Sequence, residues 1–559
     1  MFTILVCWMS FTFVCFLWGE ISIALYKSFT QKKESYSLIE TLTIGICAVG
    51  TILCFTSIQA PSGIGVTVAL TAIPALYFVF KRKQGFQLFN KLSEKFKALS
   101  KTQAAFSIIT LLLFLIFITM PPQLPDTFIY HIQNMMWNEE YSVVPGVANL
   151  QHRFAFNSNS LLLSSAFGFR QLFGQFIFGI NALYMAMMLI YVINNMVRKK
   201  PFPIVILSLA AFIILCLQYK MHIASPSTDL LPNMLIIFLM LVMFTNKNSL
   251  TEKSLLFWIV PVFCITLKLS LVIICIFCIY ILAGFIRSKS YRNITFLSVW
   301  SLLIIVPWLI RNVIISGYLL FPYPDIDLFN ADWKLPLETV INEKAYIEAQ
   351  NTIQAASGQP FATRLQIWLS GISHLELGIL CSTLISPLLM IAAYWKDRRT
   401  KRKGRSGLYL MWAMAFVGFI FCFYMVPSFG CSFGLLLIAS SIPLYLLATY
   451  IKKDLSYAVT NLFLLTGIVF LGIISVRYFK SIKDPSLPYS YLLYLPQDID
   501  STEFKKRQRI IPKKTNGGML NIASEGNCID CPLPCVKEGI NVEMRGNALQ
   551  DGFRTKRRR

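Results

Sequence analysis

Charge is scarce in this sequence. Only 14% of its 559 residues are Asp, Glu, Lys or Arg, against about a quarter in a soluble domain. Most of the chain therefore has no water-facing side, and a set of ordinary soluble domains is excluded. Acids are the rarest charges: 27, against 51 basic residues and four histidines. There is no HExxH or comparable metal spacing, and no obvious internal repeat. Cysteine is almost absent from the polar segments. Eleven of the 14 lie in apolar runs and read as small core residues. The exceptions are Cys528, Cys531 and Cys535, clustered near the C-terminus.

Apolar runs are what the chain does have. Candidate spans cover about 2–26, 38–58, 64–80, 103–120, 172–194, 203–218, 229–245, 254–267, 269–285, 294–316, 377–394, 408–426, 432–450 and 458–476. The first is too long for the apolar part of a cleaved signal and reads as a retained span. The expectation is an all-α polytopic membrane protein, a bundle of about 12–14 transmembrane helices. Residues 1–102 form N-terminal spans, 103–476 a core, and 477–559 a small soluble tail.

The net charge of +24 does not imply nucleic acid, because the basic residues are spread over short loops between apolar runs. Loops at 27–33, 81–101, 198–200, 247–253, 287–292, 396–405 and 452–453 are rich in Lys and Arg and should be cytoplasmic. The alternate loops 59–63, 121–171, 219–228, 317–376 and 427–431 are poor in them and should face outward. Basic loops flank 254–285 on both sides. That stretch must therefore enter and leave on one side, as two short helices turning near Lys268. Parity then puts the tail outside, despite Arg477, Lys480 and Lys483 at its start.

All four histidines, His131, His152, His222 and His374, fall in outward loops. So do Asp126, Glu139, Glu140, Asp325, Asp327 and Asp332, with Asp229 at the outer rim of a span. Groups that move protons are thus one-sided. Prolines 121, 122 and 125 end one helix and start another, putting Asp126 in its first turn. A helix over 126–137 would set Asp126, Tyr130, Gln133 and Trp137 on one face. A carboxylate, a phenol, an amide and an indole there suit sugar recognition. Asp126 as a helix cap and Trp137 as an interfacial anchor suit the same pattern. Asp229, in SPSTDLLPN, also has the look of a cap.

Arg311 and Lys268 lie within or beside apolar runs, where a charge costs on the order of 2.5–3.5 kcal/mol at the bilayer centre. Each is a functional candidate. Arg311 could instead snorkel to the outer interface, and Lys268 could be a plain turn residue. His131 or His152 could join Asp126 around a divalent metal, though no motif calls for one. Cys528-x-x-Cys531-x-x-x-Cys535 lacks a fourth ligand, so one disulfide fits better than a zinc or iron–sulfur site. Cys528 with Cys535 is the expected pair.

A carboxylate just after a span, in a long first outward loop, resembles the GT-C superfamily of membrane glycosyltransferases. More closely, the chain is similar to an uncharacterised family of bacterial multispanning proteins with GT-C features. The matching blocks are PDTFIYH at 125–131, VVPGVANLQHRFAFNS at 143–158, SPSTD at 225–229, PWLIRNVIISGYLLFP at 307–322 and ADWKLP at 331–336, with CPLPC and GFR later. The resemblance implies a polyprenyl-phosphate-linked sugar donor, a glycan, lipid or protein acceptor on the outer face, and a bacterial cytoplasmic-membrane location. It maps the base onto Asp126. Tyr130, His131, Trp137, Glu140, Arg153, Asn157, Asp229, Lys268 and Arg311 are the accompanying binding candidates, and residues 1–100 would be an addition before the transferase core. Many members carry two adjacent acids here. This chain has Asp126 followed by Thr127, so a second acid must come from Glu139, Glu140 or Asp229. A basic residue expected after Pro427 is replaced by SFGCSFG. A glycan polymerase or ligase, or a non-catalytic transporter, would share the outward loops.

Overall fold

The computed structural model describes residues 1–196, 202–246, 248–349, 360–402, 404–425, 429–450, 472, 499–500, 502–515 and 518–556. Apart from residue 472, the expected span 458–476 and the basic start of the tail lie outside the described residues, as do Pro427 and Ser428.

The chain is mostly helical. It opens with α1 (Phe2–Thr30), α2 (Leu38–Thr56), α3 (Ile64–Phe80), α4 (Arg82–Lys97) and α5 (Lys101–Phe117). Local sequence sets several starts. Ser37 and Glu40 cap α2 reciprocally, Ser100 and Gln103 cap α5, and Ser373 and Glu376 cap the helix His374–Arg399.

Twelve to fourteen spans were expected; fewer helices reach full length. Among the described residues six are long and apolar enough to cross a membrane, and α3 with α4 makes a seventh if that bent pair is one span. Six more apolar helices have 10–17 residues, among them Leu230–Thr245 and Ser254–Leu267. These last two are apolar all round and almost wholly buried. Neighbouring helices cover them, so they need not match the ~30 Å hydrocarbon thickness by themselves.

Residues 254–287 do form a hairpin. Helix Ser254–Leu267 ends at Lys268, whose backbone is extended, and a 3₁₀ segment Leu269–Cys275 leads into Ile276–Arg287. Phe257 meets Phe277 edge-on at 5.8 Å, and the Cys278 thiol lies 3.6 Å from the Trp258 carbonyl. One straight helix would hold those pairs about 30 Å apart.

The loops segregate to two poles. At one, Lys253 pairs with Glu40 at 2.5 Å, Lys91 with Glu20 at 2.6 Å, and Lys32 sits over Phe285. The loops expected to face outward meet at the other. Ser62 bonds the Asn138 carbonyl, Gln218 bonds Glu376, and Tyr219 bonds the Gly430 carbonyl.

The tail departs from an all-α reading. It holds a three-stranded sheet of β1 (Arg509–Thr515), β2 (Gly518–Glu525) and β3 (Cys535–Lys537), plus the pair β4 (Val542–Met544) and β5 (Phe553–Thr555). β1 is an edge strand, which is why Pro512 is tolerated in it. Cys528 and Cys535 form a disulfide; Cys531 is free and buried. The tail packs on the acidic loops. The Phe553 amide donates to the Pro145 carbonyl at 2.9 Å, and Arg545 grips Asp332 with two bonds of 2.8 and 2.9 Å.

α1 and α2 belong to the same core as the later helices. They touch backbone to backbone: a Cβ on Gly45 would meet the Cys15 carbonyl, and one on Gly19 the Thr41 carbonyl. Small residues permit such approach where no water drives association. Gly45→Ala is expected to cost about 1–3 kcal/mol by overpacking. A lowered unfolding midpoint in detergent checks this; an unchanged one refutes the tight crossing.

Candidate functional site

Three prolines bring the chain out of α5, and the Thr127 amide bonds the Leu124 carbonyl to start the next turn. That turn, Thr127–His131, is π-helical, and an α-helix Ile132–Glu140 follows. Asp126 stands at its head, yet its side chain caps nothing. It accepts instead from Arg153 Nη1 at 3.3 Å.

Arg153 lies in the 3₁₀ segment His152–Phe156. Its Nε is 3.4 Å from Glu343, and His152 Nε2 is 2.8 Å from the other oxygen of that carboxylate. The guanidinium also lies over the rings of Tyr130 and Tyr346, at 6.0 and 5.1 Å. Glu343 and Tyr346 sit three residues apart on the helix Leu337–Ala349, hence on one face.

A second ion pair, Lys268 with Asp229, lies beside the first. Asp126 is within electrostatic reach of both its members. Asp229 heads the helix Leu230–Thr245 but, like Asp126, does not cap it with its side chain. Its loop is held by Asn181, which donates to the Ser225 carbonyl at 2.9 Å, and by a 2.7 Å bond between His222 Nδ1 and Ser227.

Burial raises the Asp126 carboxyl above the usual range; the Arg153 cation opposes that, and the Asp229 charge reinforces it. His131 is 1% exposed, and its ring lies 4.3 Å from that of Tyr130. Neither nitrogen has a partner among the described residues, and burial pushes the imidazole down to about 3. His222 is lowered for the same reason. Both rings are neutral near pH 7. In the cluster the carboxylates of Asp126, Asp229 and Glu343 face the cations of Arg153 and Lys268, with His152 beside Glu343.

Asp126, Tyr130, His131, Arg153, Asp229 and Lys268 thus come together as sequence reasoning grouped them. Four of the binding candidates, Trp137, Glu140, Asn157 and Arg311, do not join. Glu140 and Glu139 both bind Arg170. Trp137 packs against Tyr141 and Phe553. The single face expected over 126–137 is interrupted by the π turn, which adds a residue to the repeat. Gln133 accordingly turns to the tail, donating to the Cys531 carbonyl at 2.8 Å.

Arg311 and Asn157 build a separate network. Arg311 is 2% exposed and does not snorkel. Its Nε donates to Asn157 at 3.1 Å, Nη1 to Ser57 at 2.7 Å and Nη2 to Asn138 at 2.9 Å. Asn157 in turn donates to Asn312 at 2.7 Å.

Of the second acids considered, Asp229 is the one beside Asp126. Glu343 was missed, as was Tyr346; their i, i+3 spacing was the available signal. The three aspartates of that loop form outlying pairs: Asp325 with Lys344, Asp327 with Lys334 and Asp332 with Arg545. Among the described residues no three His, Cys, Asp or Glu side chains are grouped to hold a metal. His152, one proposed donor, is engaged by Glu343.

Residues 1–438 match the model of a family described as a domain of unknown function (DUF8201). The chain belongs to that family. The match runs through residue 102 without a break, so the first spans lie within the family's common region. No curated protein matches the chain, and no solved structure does.

Arg311→Lys keeps the charge but cannot reach all three acceptors. A loss of about 1.5–3 kcal/mol per missing bond is expected. Thermal unfolding of the purified protein checks it, and an unshifted midpoint would sink the structural assignment.

Proposed function

We propose that the chain is a membrane glycosyltransferase that moves a sugar from a polyprenyl-phosphate-linked donor to an acceptor hydroxyl at the acidic pole. The pole carrying Lys32, Lys91 and Lys253 is then cytoplasmic by the positive-inside rule, and the pole carrying Asp126 faces out. The observation that carries this reading is the pairing of Asp126 with Arg153 beside Asp229 with Lys268, where the apolar helices end.

Transfer needs a base and a charge stabiliser in one place. The Asp126 carboxylate takes the proton of the acceptor hydroxyl as its oxygen bonds the anomeric carbon. The bond from that carbon to the phosphate oxygen breaks, and its electron pair leaves with the phosphate. Lys268 and Arg153 offset the charge that develops there. An incoming phosphate competes with Asp229 for Lys268, so donor binding loosens that pair. Burial of the Asp126 carboxyl favours its taking a proton. Tyr130, over whose ring the Arg153 guanidinium lies, helps to hold that cation beside the carboxylate.

Asp126→Asn, at normal membrane levels, is expected to lower transfer by about 10²–10⁴. Surface glycans should fall and polyprenyl-linked sugars accumulate. Unchanged glycans and unchanged lipid-linked pools would falsify Asp126 as base. The pH profile gives a second check. A base works only when deprotonated, so activity rises with pH through the Asp126 pKa. Burial places that acidic limb above the ordinary carboxylate range. Arg153→Met removes the opposing cation and should move the limb to still higher pH; a downward shift would refute the coupling.

A further inference from the structure

α4 takes no part in the acidic cluster, which sits at the other pole. It follows α3 at a bend of 106°, so it runs across the line of that apolar helix. No residue of α4 is fully buried. Leu88 and Leu92 rest on the core, Lys91 pairs with Glu20, and Lys95 donates to the Tyr36 carbonyl at 3.2 Å. One side of α4 is therefore fixed to the bundle at the basic pole.

The next side is bare. Phe86, Phe89 and Phe96 are 66%, 69% and 62% exposed. Their spacing of three and seven residues puts them on one stripe. The stripe continues into exposed residues of α3, namely Val68, Leu76, Val79 and Phe80. Lys83 and Lys97 lie beyond the phenylalanines, and Arg82 heads the helix on their own stripe, four residues before Phe86; all three are exposed. Residues 81–101 hold seven basic side chains and one acid, Glu94.

A helix with aromatic residues on one flank and cations on the next belongs in a membrane interface. The phenylalanines enter the acyl boundary, and the cations meet what lies at headgroup depth. The geometry points to α4 as an in-plane helix that binds anionic phospholipid headgroups in the leaflet at the basic pole. The excess of positive charge selects an anionic over a zwitterionic lipid. The bend sets the depth: α3 leaves the apolar layer at Phe80, and α4 turns along its surface. This reading is independent of the chemistry at the opposite pole.

The test uses the full chain in nanodiscs of phosphatidylcholine with or without phosphatidylglycerol. Retained lipid is read by native mass spectrometry, alongside the unfolding midpoint. Wild type should retain phosphatidylglycerol preferentially, melt higher with it, and lose both effects at high salt. Arg82→Gln, Lys83→Gln and Lys97→Gln together should weaken the preference by about fivefold per charge, from about 1 kcal/mol for each cation near the surface. Phe86→Ser with Phe89→Ser should lower the midpoint in both lipids. If the triple variant does not fold, Lys83→Gln alone and the salt titration of wild type decide. Equal retention of both lipids, or a preference that salt and Lys83→Gln leave unmoved, overturns the proposal. So does a dimer that buries α4 and shows no lipid preference, since a second copy would then be the occupant.

Discussion

A guanidinium out of water must spend its donors on protein, and Arg311 spends them on three different segments. Ser57 follows α2, Asn138 lies on the helix 132–140, and Asn157 closes the 3₁₀ turn that carries Arg153. Each bond is between a charge and a neutral acceptor, the stronger kind of protein hydrogen bond. Together they fix loop 121–171 against the bundle. The Asp126–Arg153 contact depends on that, because both residues stand on the loop that Arg311 holds.

The second half of the site comes from elsewhere in the chain. Lys268 arrives at the tip of a helical hairpin, and Asp229 at the head of a buried helix. The hairpin exists because the basic ends of residues 254–287 stay at one pole, leaving only its turn to reach the other. Charge placement in short loops therefore does two things: it orders the poles, and it delivers a lysine to the acidic one.

How much of this was legible follows from what leaves a mark in sequence. Lys268 was visible because a charge beside an apolar run is costly and stands out; Asp126 and Asp229 were visible as carboxylates at the rim of spans, and Arg153 as a cation of the same outward loop. The hairpin was visible because loop parity demanded it. Glu343 and Tyr346 were hidden in an ordinary polar helix, where their i, i+3 spacing is a weak signal that solvated residues share. Arg311 stood out for the same reason as Lys268, yet its partners make it structural; sequence shows the cost of a charge but not what meets it. The single face over 126–137 failed because a π turn has no sequence signature of its own. The tail's strands were missed because β3, β4 and β5 have only three residues each and β1 carries Pro512 and three basic residues in place of an alternating apolar pattern.

The way β5 closes on loop 121–171 bears on how the protein is made. The Phe553 carbonyl accepts from Asn149, 404 positions earlier. At about 5–20 residues per second, synthesis leaves a gap of roughly 20–80 s between those two residues. Throughout it the carbonyl of Pro145 and the ring of Trp137 stand without their cover. The helices meanwhile have time to insert and pack. This pole is thus assembled in order: its helices meet first across the bundle, and the strands close on Pro145, Asn149 and Trp137 only once Phe553 has been made.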